Sequence, residues 1–205
     1  MTVFEELAEL GSATVHEAAG RAPVVDVPLV QVVPGSRAAG PARTARCGQG
    51  DNLMVHAVVA EAEPGEVLVL TMPEPAPVAL VGELLATQAK GRGVAAILVD
   101  AAVRDVEELQ ELGLPIWARY VRVRGAEKKV PGTLGEPVEV GGATIRQGDA
   151  VVLDADGAVV VERARVDEVL AAARERAERE RVKRAKLETG ALSYDLDGLR
   201  ELVEP

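Results

Sequence analysis

The fold of this chain is decided by one stretch, Gly82-Glu-Leu-Leu-Ala-Thr-Gln-Ala-Lys-Gly-Arg-Gly-Val-Ala-Ala-Ile-Leu-Val-Asp-Ala-Ala-Val-Arg-Asp-Val-Glu-Glu108. Its first part, Glu83–Lys90, predicts a short helix that the following glycines end. The continuous apolar run Val94–Val99 is typical of a strand that is buried on both faces. Arg104 and Asp105 follow this strand, so the stretch can bring a helix N-terminus, a guanidinium and two carboxylates into one neighbourhood.

The elements on either side of this stretch extend the same pattern. Glu66–Thr71 is an apolar run bounded by breakers and predicts a preceding strand. Val106–Leu112 predicts a further helix, and Pro115–Ala118 predicts the next short strand. Strand, helix and strand in this order imply a right-handed parallel crossover. Ligands of open α/β sheets bind at the carboxyl ends of the strands, where the ends of the central stretch should lie.

The N-terminal part of the chain predicts two short helices. Val3–Leu10 has helical apolar spacing and stops at a glycine. Thr14 and Glu17 fit a capping box, so Thr14–Gly20 is interpreted as the second helix. His16 in this helix has no His or Cys neighbour at metal-ligand spacing, and we expect it to face solvent or to cap.

The segment from residue 21 to residue 61 alternates between breakers and short apolar runs. Its Pro and Gly residues up to residue 41 indicate short extended pieces, and Gly40–Cys47 is interpreted as a further strand. A helix should begin at Leu53. Asp51 or Asn52 would cap that helix, because both residue types are favoured N-caps.

The last third of the chain changes character. Short apolar runs from residue 138 to residue 161 are separated by hairpin signals and predict an antiparallel meander packed on the parallel layer. The turn Asp154–Gly157 lacks the further ligands of a calcium loop. Val166–Lys186 predicts a long helix whose charged second half should face solvent or a neighbouring subunit. Leu192–Leu199 is interpreted as a docking tail.

Composition limits the classes of function. The chain has 205 residues, which indicates one main domain, and a formal net charge of -10 without a free basic cluster, which argues against nucleic acid as a partner. A single cysteine, Cys47, allows no disulfide within the chain, and we expect it to be buried. No leader and no apolar run of membrane-spanning length is apparent, so a cytoplasmic location without a membrane is expected.

The central stretch itself suggests anion and metal chemistry. A glycine before the helix lets a ligand approach the backbone, and the free amides of Leu84 and Leu85 with the helix dipole can bind an anion. Arg104 can pair with a carboxylate or a keto oxygen, unless it only forms a surface ion pair with a nearby Glu. Asp105 can bind a divalent cation together with water and substrate oxygens, unless it is simply an acid at a helix N-terminus.

Several motifs together resemble one known family. They are Gly82–Thr87, Asp100-Ala-Ala-Val-Arg-Asp-x-x-Glu108, Gly50–Leu53, Thr14–Ala18 and the Gly148–Val161 region. The chain is similar over most of its length to the class II 4-hydroxy-4-methyl-2-oxoglutarate / 4-carboxy-4-hydroxy-2-oxoadipate aldolases, a family that includes the RraA-like regulators of RNase E. The most specific part of this resemblance is the spacing by which twenty residues separate Glu83 from the pair Arg104-Asp105.

The resemblance implies an α/β fold: a layered RraA-like sandwich with a short parallel crossover unit, an antiparallel meander and a long C-terminal helix. Residues 1–163 would form the RraA-like aldolase domain. Residues 164–205 would form a C-terminal helix and tail that pack on a neighbouring subunit of a homotrimer or homohexamer.

The resemblance also implies roles for individual residues. Arg104, with Gly82 and the amides of Leu84 and Leu85, would bind the carboxylate and keto oxygen of a small 2-keto acid, and Asp105 would hold Mg²⁺ or Mn²⁺. Two further acids would be catalytic. They are Glu83, near a metal-bound water, and Glu180, from the C-terminal helix of an adjacent subunit, with Glu178 as the other match.

The implied function is a divalent-metal-dependent aldolase, a carbon-carbon lyase that cleaves a 4-hydroxy-2-oxo-dicarboxylic acid to pyruvate and a second keto acid. Oxaloacetate decarboxylation would be a side activity. The alternative is a non-catalytic RraA-like regulator that binds a protein partner. One departure from the family pattern is Ala101, where the family usually has glycine. If the backbone at this position has a positive φ, the alanine is strained. A second departure is the segment Arg21–Val33, which is shorter than in typical members and could reshape the entrance.

Overall fold

The computed structural model describes residues 1–21 and 23–204. Within these residues the chain forms eight α-helices and eleven β-strands. The helices are α1 Val3–Leu10, α2 Ser12–Ala18, α3 Leu53–Glu61, α4 Glu83–Gly91, α5 Val106–Leu112, α6 Val166–Glu188, α7 Ser193–Leu196 and α8 Arg200–Val203. The strands are β1 Val30–Gln31, β2 Ala38–Arg46, β3 Val67–Thr71, β4 Ala79–Val81, β5 Ala96–Val103, β6 Ile116–Val121, β7 Thr133–Leu134, β8 Val138–Val140, β9 Ala143–Ile145, β10 Ala150–Asp154 and β11 Gly157–Val161.

One curled sheet organises the molecule. Its strand order is β1-β6-β5-β3-β2-β10-β11, with β4 added beside β5 and β7 beside β2. The pairs β2·β3, β3·β5, β4·β5 and β5·β6 are parallel, as the crossover pattern predicts. Strands β10 and β11 form an antiparallel hairpin that joins this sheet through β2. The sheet is therefore parallel at its centre and antiparallel towards both ends.

The central strands are buried on both faces because a different layer covers each face. Along β3, Leu68 and Leu70 belong to the core under helices α3, α4 and α5, whereas Val67 and Val69 belong to the core under the β8–β9 hairpin. This alternation follows from the two-residue period of a strand. A third apolar cluster lies where α1, α2 and α6 pack on β10 and β11. The predicted α/β sandwich with a long C-terminal helix is confirmed.

Two expectations about the strands need correction. The strand β4 was not predicted, because its three residues follow a proline-rich loop and are too few to show a period. The residues from 138 to 161 were predicted as one meander packed on the parallel layer. Only β8 and β9 form a separate two-stranded sheet, whereas β10 and β11 extend the main sheet.

The capping box expected at Thr14 and Glu17 is also wrong. Helix α2 begins two residues earlier, at Ser12, after Gly11, which has no side chain to cap it. The Asp154 carboxylate performs this function from the other end of the chain, because it accepts hydrogen bonds from the Ser12 amide at 2.7 Å and the Ser12 hydroxyl at 2.6 Å. A local capping box does form at helix α1. The Thr2 hydroxyl accepts a hydrogen bond from the Glu5 amide, and the Glu5 carboxylate accepts one from the Thr2 amide.

The C-terminal elements divide into a packed part and an exposed part. Val169, Leu170 and Ala173 of α6 are buried against α1 and α2, whereas the following turns of α6 are charged and exposed. Several leucines of the tail are exposed, including Leu192 and Leu202. None of the helices in the described part of the chain combines the length and apolar character that a bilayer crossing requires.

Candidate active site

The ends of the central stretch meet in one pocket. The pocket has a volume of about 220 Å³ and lies beside the carboxyl ends of β4 and β5 and the N-terminus of α4. Its polar lining consists of Asn52, His56, Gln88, Arg104, Asp105 and Lys128. The expected place for a ligand, just past the strand ends, is therefore a real concavity in which two cationic side chains and one carboxylate converge.

Gly82 and Asp105 are fitted to each other at the N-terminus of α4. The Asp105 Oδ2 atom accepts a hydrogen bond from the Glu83 amide at 3.1 Å, so this carboxylate caps α4 from the neighbouring strand end. A Cβ atom at position 82 would lie 2.5 Å from the same oxygen. Gly82 has an extended backbone, so its lack of a side chain serves the close approach and not an unusual conformation.

Asp105 itself is held in the left-handed region, with φ 62° and ψ 47°. Apart from Asp105, Arg21 is the one non-glycine residue with positive φ in residues 1–21 and 23–204. Such a conformation has a free-energy cost of about 1 kcal/mol or more and is concentrated at functional sites. The side chain is 41% exposed, and Oδ1 makes no hydrogen bond within the described residues. One carboxylate oxygen is therefore available to a ligand.

The donor set around Asp105 suits a magnesium-like ion that is bound largely through water and substrate. No group of three His, Cys, Asp or Glu residues that could enclose a metal occurs in the described parts of the chain. Mg²⁺ is commonly held by one or two carboxylates together with substrate oxygens and waters, so a single accessible carboxylate in a cradle with no Cβ at Gly82 fits this metal. It would not fit structural zinc, which needs four protein ligands.

Arg104 lies beside Asp105 and points into the same pocket. Its Nε atom is 3.6 Å from Asp105 Oδ2, and the side chain is 50% exposed. The ion pair that had been the alternative interpretation, with Glu107 or Glu108, does not form between the described residues. A Cβ atom at Gly125 would lie 2.7 Å from Arg104 Nη1. Two glycines, Gly82 and Gly125, thus leave room for the guanidinium.

The first turn of α4 completes the anion-binding end of the pocket. Leu84 and Leu85 both line the pocket. Their amides belong to the first turn of the helix and so have no acceptor within it. Anions are favoured at such a terminus by these free N–H groups and by the helix dipole. The structure therefore brings together Gly82, Leu84, Leu85, Arg104 and Asp105, as the sequence predicted.

Glu83 and Glu180 are placed differently from these residues. The Glu83 Oε1 atom accepts a hydrogen bond from the Thr87 hydroxyl at 2.8 Å, one turn along α4. Glu83 is not among the residues that line the pocket. Glu180 lies on the exposed part of α6 and pairs with Arg176 at 2.9 Å. Glu178 on the same helix pairs with Arg181. The roles predicted for these acids remain predictions.

One wall of the pocket is formed by the loop that contains Lys128, and Asp51 fixes this loop. Asp51 is fully buried, and its Oδ2 atom accepts hydrogen bonds from the amides of Lys129 at 2.6 Å and Val130 at 3.0 Å. Its Oδ1 atom accepts from the Leu53 amide at 2.8 Å and so caps α3, as predicted. These backbone N–H bonds lower the pKa of Asp51 although burial alone would raise it.

The pocket has four polar lining residues that were not predicted as site residues: Asn52, His56, Gln88 and Lys128. Asn52 had been assigned a capping role, and His56 and Lys128 had no assigned role. The neighbouring Lys128 ammonium and, more strongly, burial lower the pKa of His56. Asn52 and His56 are four residues apart at the start of α3, a spacing that places both on one helix face. Lys128 lies in a loop, and its sequence neighbourhood has no period that could have indicated the pocket.

The concern about Ala101 is not supported. Ala101 lies within strand β5, is fully buried, and does not belong to the residues with positive φ. It contributes to the apolar core under α4 and α5 and does not line the pocket. A methyl group at this position therefore neither strains the loop that holds Arg104 and Asp105 nor narrows the pocket. The other departure, the short segment after Arg21, includes residue 22, which lies outside the described residues.

Known proteins resemble this chain in sequence and in fold. A relative from Halalkalibacterium halodurans, whose name assigns it provisionally as a 4-hydroxy-4-methyl-2-oxoglutarate aldolase, is 36% identical over 137 residues. The match covers 67% of this chain and 65% of that protein. The chain therefore matches slightly less than two thirds of the length of this relative.

Among solved structures, Streptomyces coelicolor RraAS2, described as an unusual member of the RNase ES inhibitor RraA protein family, is 30% identical. Its TM-score is 0.79, with coverage of 89% of this chain and 95% of that one. An uncharacterized protein from Pseudomonas syringae shares the fold with a TM-score of 0.83 at 23% identity, over 93% and 90% of the two chains. A family model described as RraA-like, Aldolase/RraA, matches residues 12–160. The chain therefore belongs to the RraA-like family.

Proposed function

We propose that this protein is a divalent-metal-dependent aldolase that cleaves a 4-hydroxy-2-oxo-dicarboxylic acid to pyruvate and a second keto acid. The observation that carries the proposal is the convergence of Arg104, Asp105 and the free amides at the start of α4 in one pocket. The name of the Halalkalibacterium halodurans relative supports the same class, a carbon-carbon lyase. Oxaloacetate decarboxylation is proposed as a side activity, because it passes through the same pyruvate enolate.

The residues suit two negative charges: that of the pyruvyl carboxylate, which the substrate already carries, and that which develops on the keto oxygen during the reaction. The Leu84 and Leu85 amides would bind the pyruvyl carboxylate, and the Arg104 guanidinium would donate to that carboxylate and to the keto oxygen. Asp105 would hold Mg²⁺ or Mn²⁺, which supplies a Lewis acid for the keto oxygen. Negative charge accumulates on this oxygen when the bond between C3 and C4 breaks. Donors that are already aimed at this position lower the barrier because they need no reorganisation.

A dicarboxylate is favoured as substrate because the pocket has two cationic side chains. Arg104 stands at the α4 end, and Lys128 lines the wall formed by the loop. A substrate with a carboxylate at each end can pair with both, whereas a monocarboxylate would leave the ammonium unpaired. The sequence-based choice of a 4-hydroxy-2-oxo-dicarboxylic acid is thus supported by the placement of a cation that the sequence had not indicated.

A neighbouring subunit is proposed to complete the site. Glu83 would act near a metal-bound water, and Glu180 would reach the site of an adjacent copy in a homotrimer or homohexamer. The proposal is supported by the exposed charged half of α6 and by the exposed leucines of the tail, which nothing in the described chain covers. In this proposal residues 1–163 form the aldolase domain, and residues 164–205 form the arm that packs on the neighbour.

The proposal is tested by pyruvate release from 4-hydroxy-4-methyl-2-oxoglutarate and from oxaloacetate, with Mg²⁺ and with EDTA. Arg104→Ala should lower kcat/KM by about 10³-fold, as for loss of a preorganised donor to a developing oxyanion. Arg92→Ala is the matched control, since Arg92 lies at the opposite end of α4 and donates to the Ala62 carbonyl. Equal rates for wild type, Arg104→Ala and the EDTA-treated protein would exclude the proposed function.

A second candidate function is regulation of an RNase without catalysis. It is favoured by one observation: Streptomyces coelicolor RraAS2 matches the fold over 89% of this chain, at 30% sequence identity. A regulator does not need an intact keto-acid site. Stable co-purification with an RNase or a helicase, together with no turnover of any 4-hydroxy-2-oxo acid, would favour this function over the aldolase.

A further inference from the structure

Asn52 presents an unused hydrogen-bond acceptor to the pocket. The residue is 7% exposed, and its Nδ2 atom donates to the Leu80 carbonyl at 3.0 Å. This bond fixes the orientation of the amide, and the Oδ1 atom is left buried without a partner. A buried polar atom without a hydrogen bond is unfavourable, so a ligand that satisfies it gains specificity as well as affinity.

His56 presents a second unused group on the same wall. It lies one helical turn after Asn52, and its Nε2 atom is also buried without a partner. Burial and the Lys128 ammonium lower the pKa of the imidazole, so the ring is neutral at pH 7 and has one N–H donor. In the tautomer with hydrogen on Nε2, His56 offers a donor one helical turn away from the Asn52 acceptor.

A hydroxyl group has the donor and the acceptor that these two atoms require, whereas a carboxylate or an ammonium group does not. A carboxylate would bring a lone pair against Asn52 Oδ1, where acceptor would face acceptor. An ammonium group would be repelled by Lys128, whose charge already acts on His56. A hydroxyl can donate its hydrogen to Asn52 Oδ1 and accept one from His56 Nε2, because it is both donor and acceptor.

We propose that Asn52 and His56 form the subsite for the 4-hydroxyl group of the substrate and distinguish 4-hydroxy-2-oxo acids from 2-oxo acids that lack this group. The inference rests on the proposed function, since it assigns the part of the substrate beyond the pyruvyl end. Oxaloacetate has a carboxylate at C4 in place of the hydroxyl group, and a carboxylate cannot donate a hydrogen bond to Asn52 Oδ1.

The test compares the two reactions in one variant. His56→Leu removes the N–H donor, and we expect kcat/KM for cleavage of 4-hydroxy-4-methyl-2-oxoglutarate to fall by about tenfold, as for loss of one hydrogen bond. Oxaloacetate decarboxylation should fall by less, because the C4 carboxylate does not satisfy both groups of the subsite, and thermal unfolding checks separately that the variant is folded. His16→Leu is the matched control, because His16 has a buried unpaired Nδ1 atom but lines a different pocket, with Ser12 and Val24.

A binding measurement separates recognition from other effects. Competitive inhibition by 2-oxoglutarate, which lacks the 4-hydroxyl group, should be the same in wild type and His56→Leu, whereas the KM for 4-hydroxy-2-oxoglutarate, a substrate of the proposed class, should rise in the variant. A parallel loss of cleavage and decarboxylation, or no loss of either, would overturn the hydroxyl subsite. If the wild-type protein turns over neither substrate, the aldolase proposal itself fails. This outcome differs from the two results that would overturn only the hydroxyl subsite.

Discussion

Two helices of this protein begin in the same way but differ in what their N-termini can bind. Helices α2 and α4 both follow a glycine without a capping side chain, and an aspartate from a distant strand end caps each of them. A Cβ atom would lie 3.2 Å from Asp154 Oδ2 at Gly11 and 2.5 Å from Asp105 Oδ2 at Gly82. The construction is the same, so the difference lies in how much of each carboxylate remains free.

Both carboxylate oxygens of Asp154 already accept hydrogen bonds. It is 7% exposed and accepts hydrogen bonds from the Ser12 amide, the Ser12 hydroxyl and the Asp156 amide. Asp105 accepts one such bond, is 41% exposed, and stands beside Arg104 in a strained backbone conformation. The pocket near α2 has a volume of about 420 Å³, larger than that at α4, but its lining includes Asp26 and Asp156 and, within residues 1–21 and 23–204, neither Lys nor Arg. The functional site is therefore identified by its charged side chains and by a carboxylate that can still bind a ligand, and not by the volume of its pocket.

The largest expected effect is that of replacing Asp105. Asp105→Gly removes the proposed metal ligand and relieves the left-handed strain, because glycine adopts positive φ without a steric cost. We expect kcat/KM for pyruvate release to fall by about 10³-fold while the free energy of unfolding changes by less than about 1 kcal/mol. Titration with Mn²⁺, followed by electron paramagnetic resonance, should show loss of binding. Unchanged Mn²⁺ affinity would mean that Asp105 does not hold the metal.

The corresponding change at α2 should affect stability and leave the chemistry intact. Asp154→Ala removes three hydrogen bonds at a buried position, and we expect the free energy of unfolding in urea to fall by about 3 kcal/mol. The kcat/KM of the protein that remains folded should equal that of wild type. A selective loss of kcat/KM in this variant would break the contrast between a structural and a functional helix N-terminus.

Lys128→Met tests whether the pocket at α4 is built for two carboxylates. The change retains the apolar stem and removes the ammonium. We expect KM for a dicarboxylic substrate to rise by about tenfold, as for one charge-assisted hydrogen bond, with little change in kcat. Lys129→Met is the neighbouring control, since Lys129 pairs with Glu127 outside the pocket. Equal effects of the two changes would argue against a specific role for Lys128.

The smallest expected effects are those of the two glycines. Gly11 has φ 83°, so Gly11→Ala should lower the free energy of unfolding by about 1 kcal/mol through backbone strain. Gly82 has an extended backbone, so Gly82→Ala should act by displacing the Asp105 carboxylate and should lower activity more than stability. Thermal unfolding and pyruvate release, measured on both variants, would show whether the two glycines differ in this way.

The acid range offers a further check on the wall of the pocket. The pKa of Asp51 is lowered from its ordinary value of 3.8 in the folded protein. Its contribution to stability is therefore fully present above that value and is lost as the pH falls towards the folded pKa. Asp51→Asn should be less stable than wild type at neutral pH, and the difference should shrink in acid, as measured by urea unfolding at several pH values.

Sequence alone determined the elements whose signals are local. The apolar run before Arg104 predicted a strand that is buried on both faces, and the glycine-flanked segment after Gly82 predicted α4. The helix that begins at Leu53 and its cap by Asp51 were likewise predicted, because the capping bond spans two residues. The resemblance to a family added the site residues at the start of α4, and the structure places these together.

Tertiary structure decided everything that depends on partners distant in the chain. The cap of α2 is Asp154, which is 142 residues from Ser12, so the local capping box at Thr14 was a misleading signal. Asn52 is a helix N-cap in sequence, yet its side chain bonds to the Leu80 carbonyl and leaves an oxygen for the pocket. The spacing of apolar residues in the sequence indicates which face of a helix or strand is buried. Which polar atoms remain unsatisfied depends on how elements meet, and those atoms define the site.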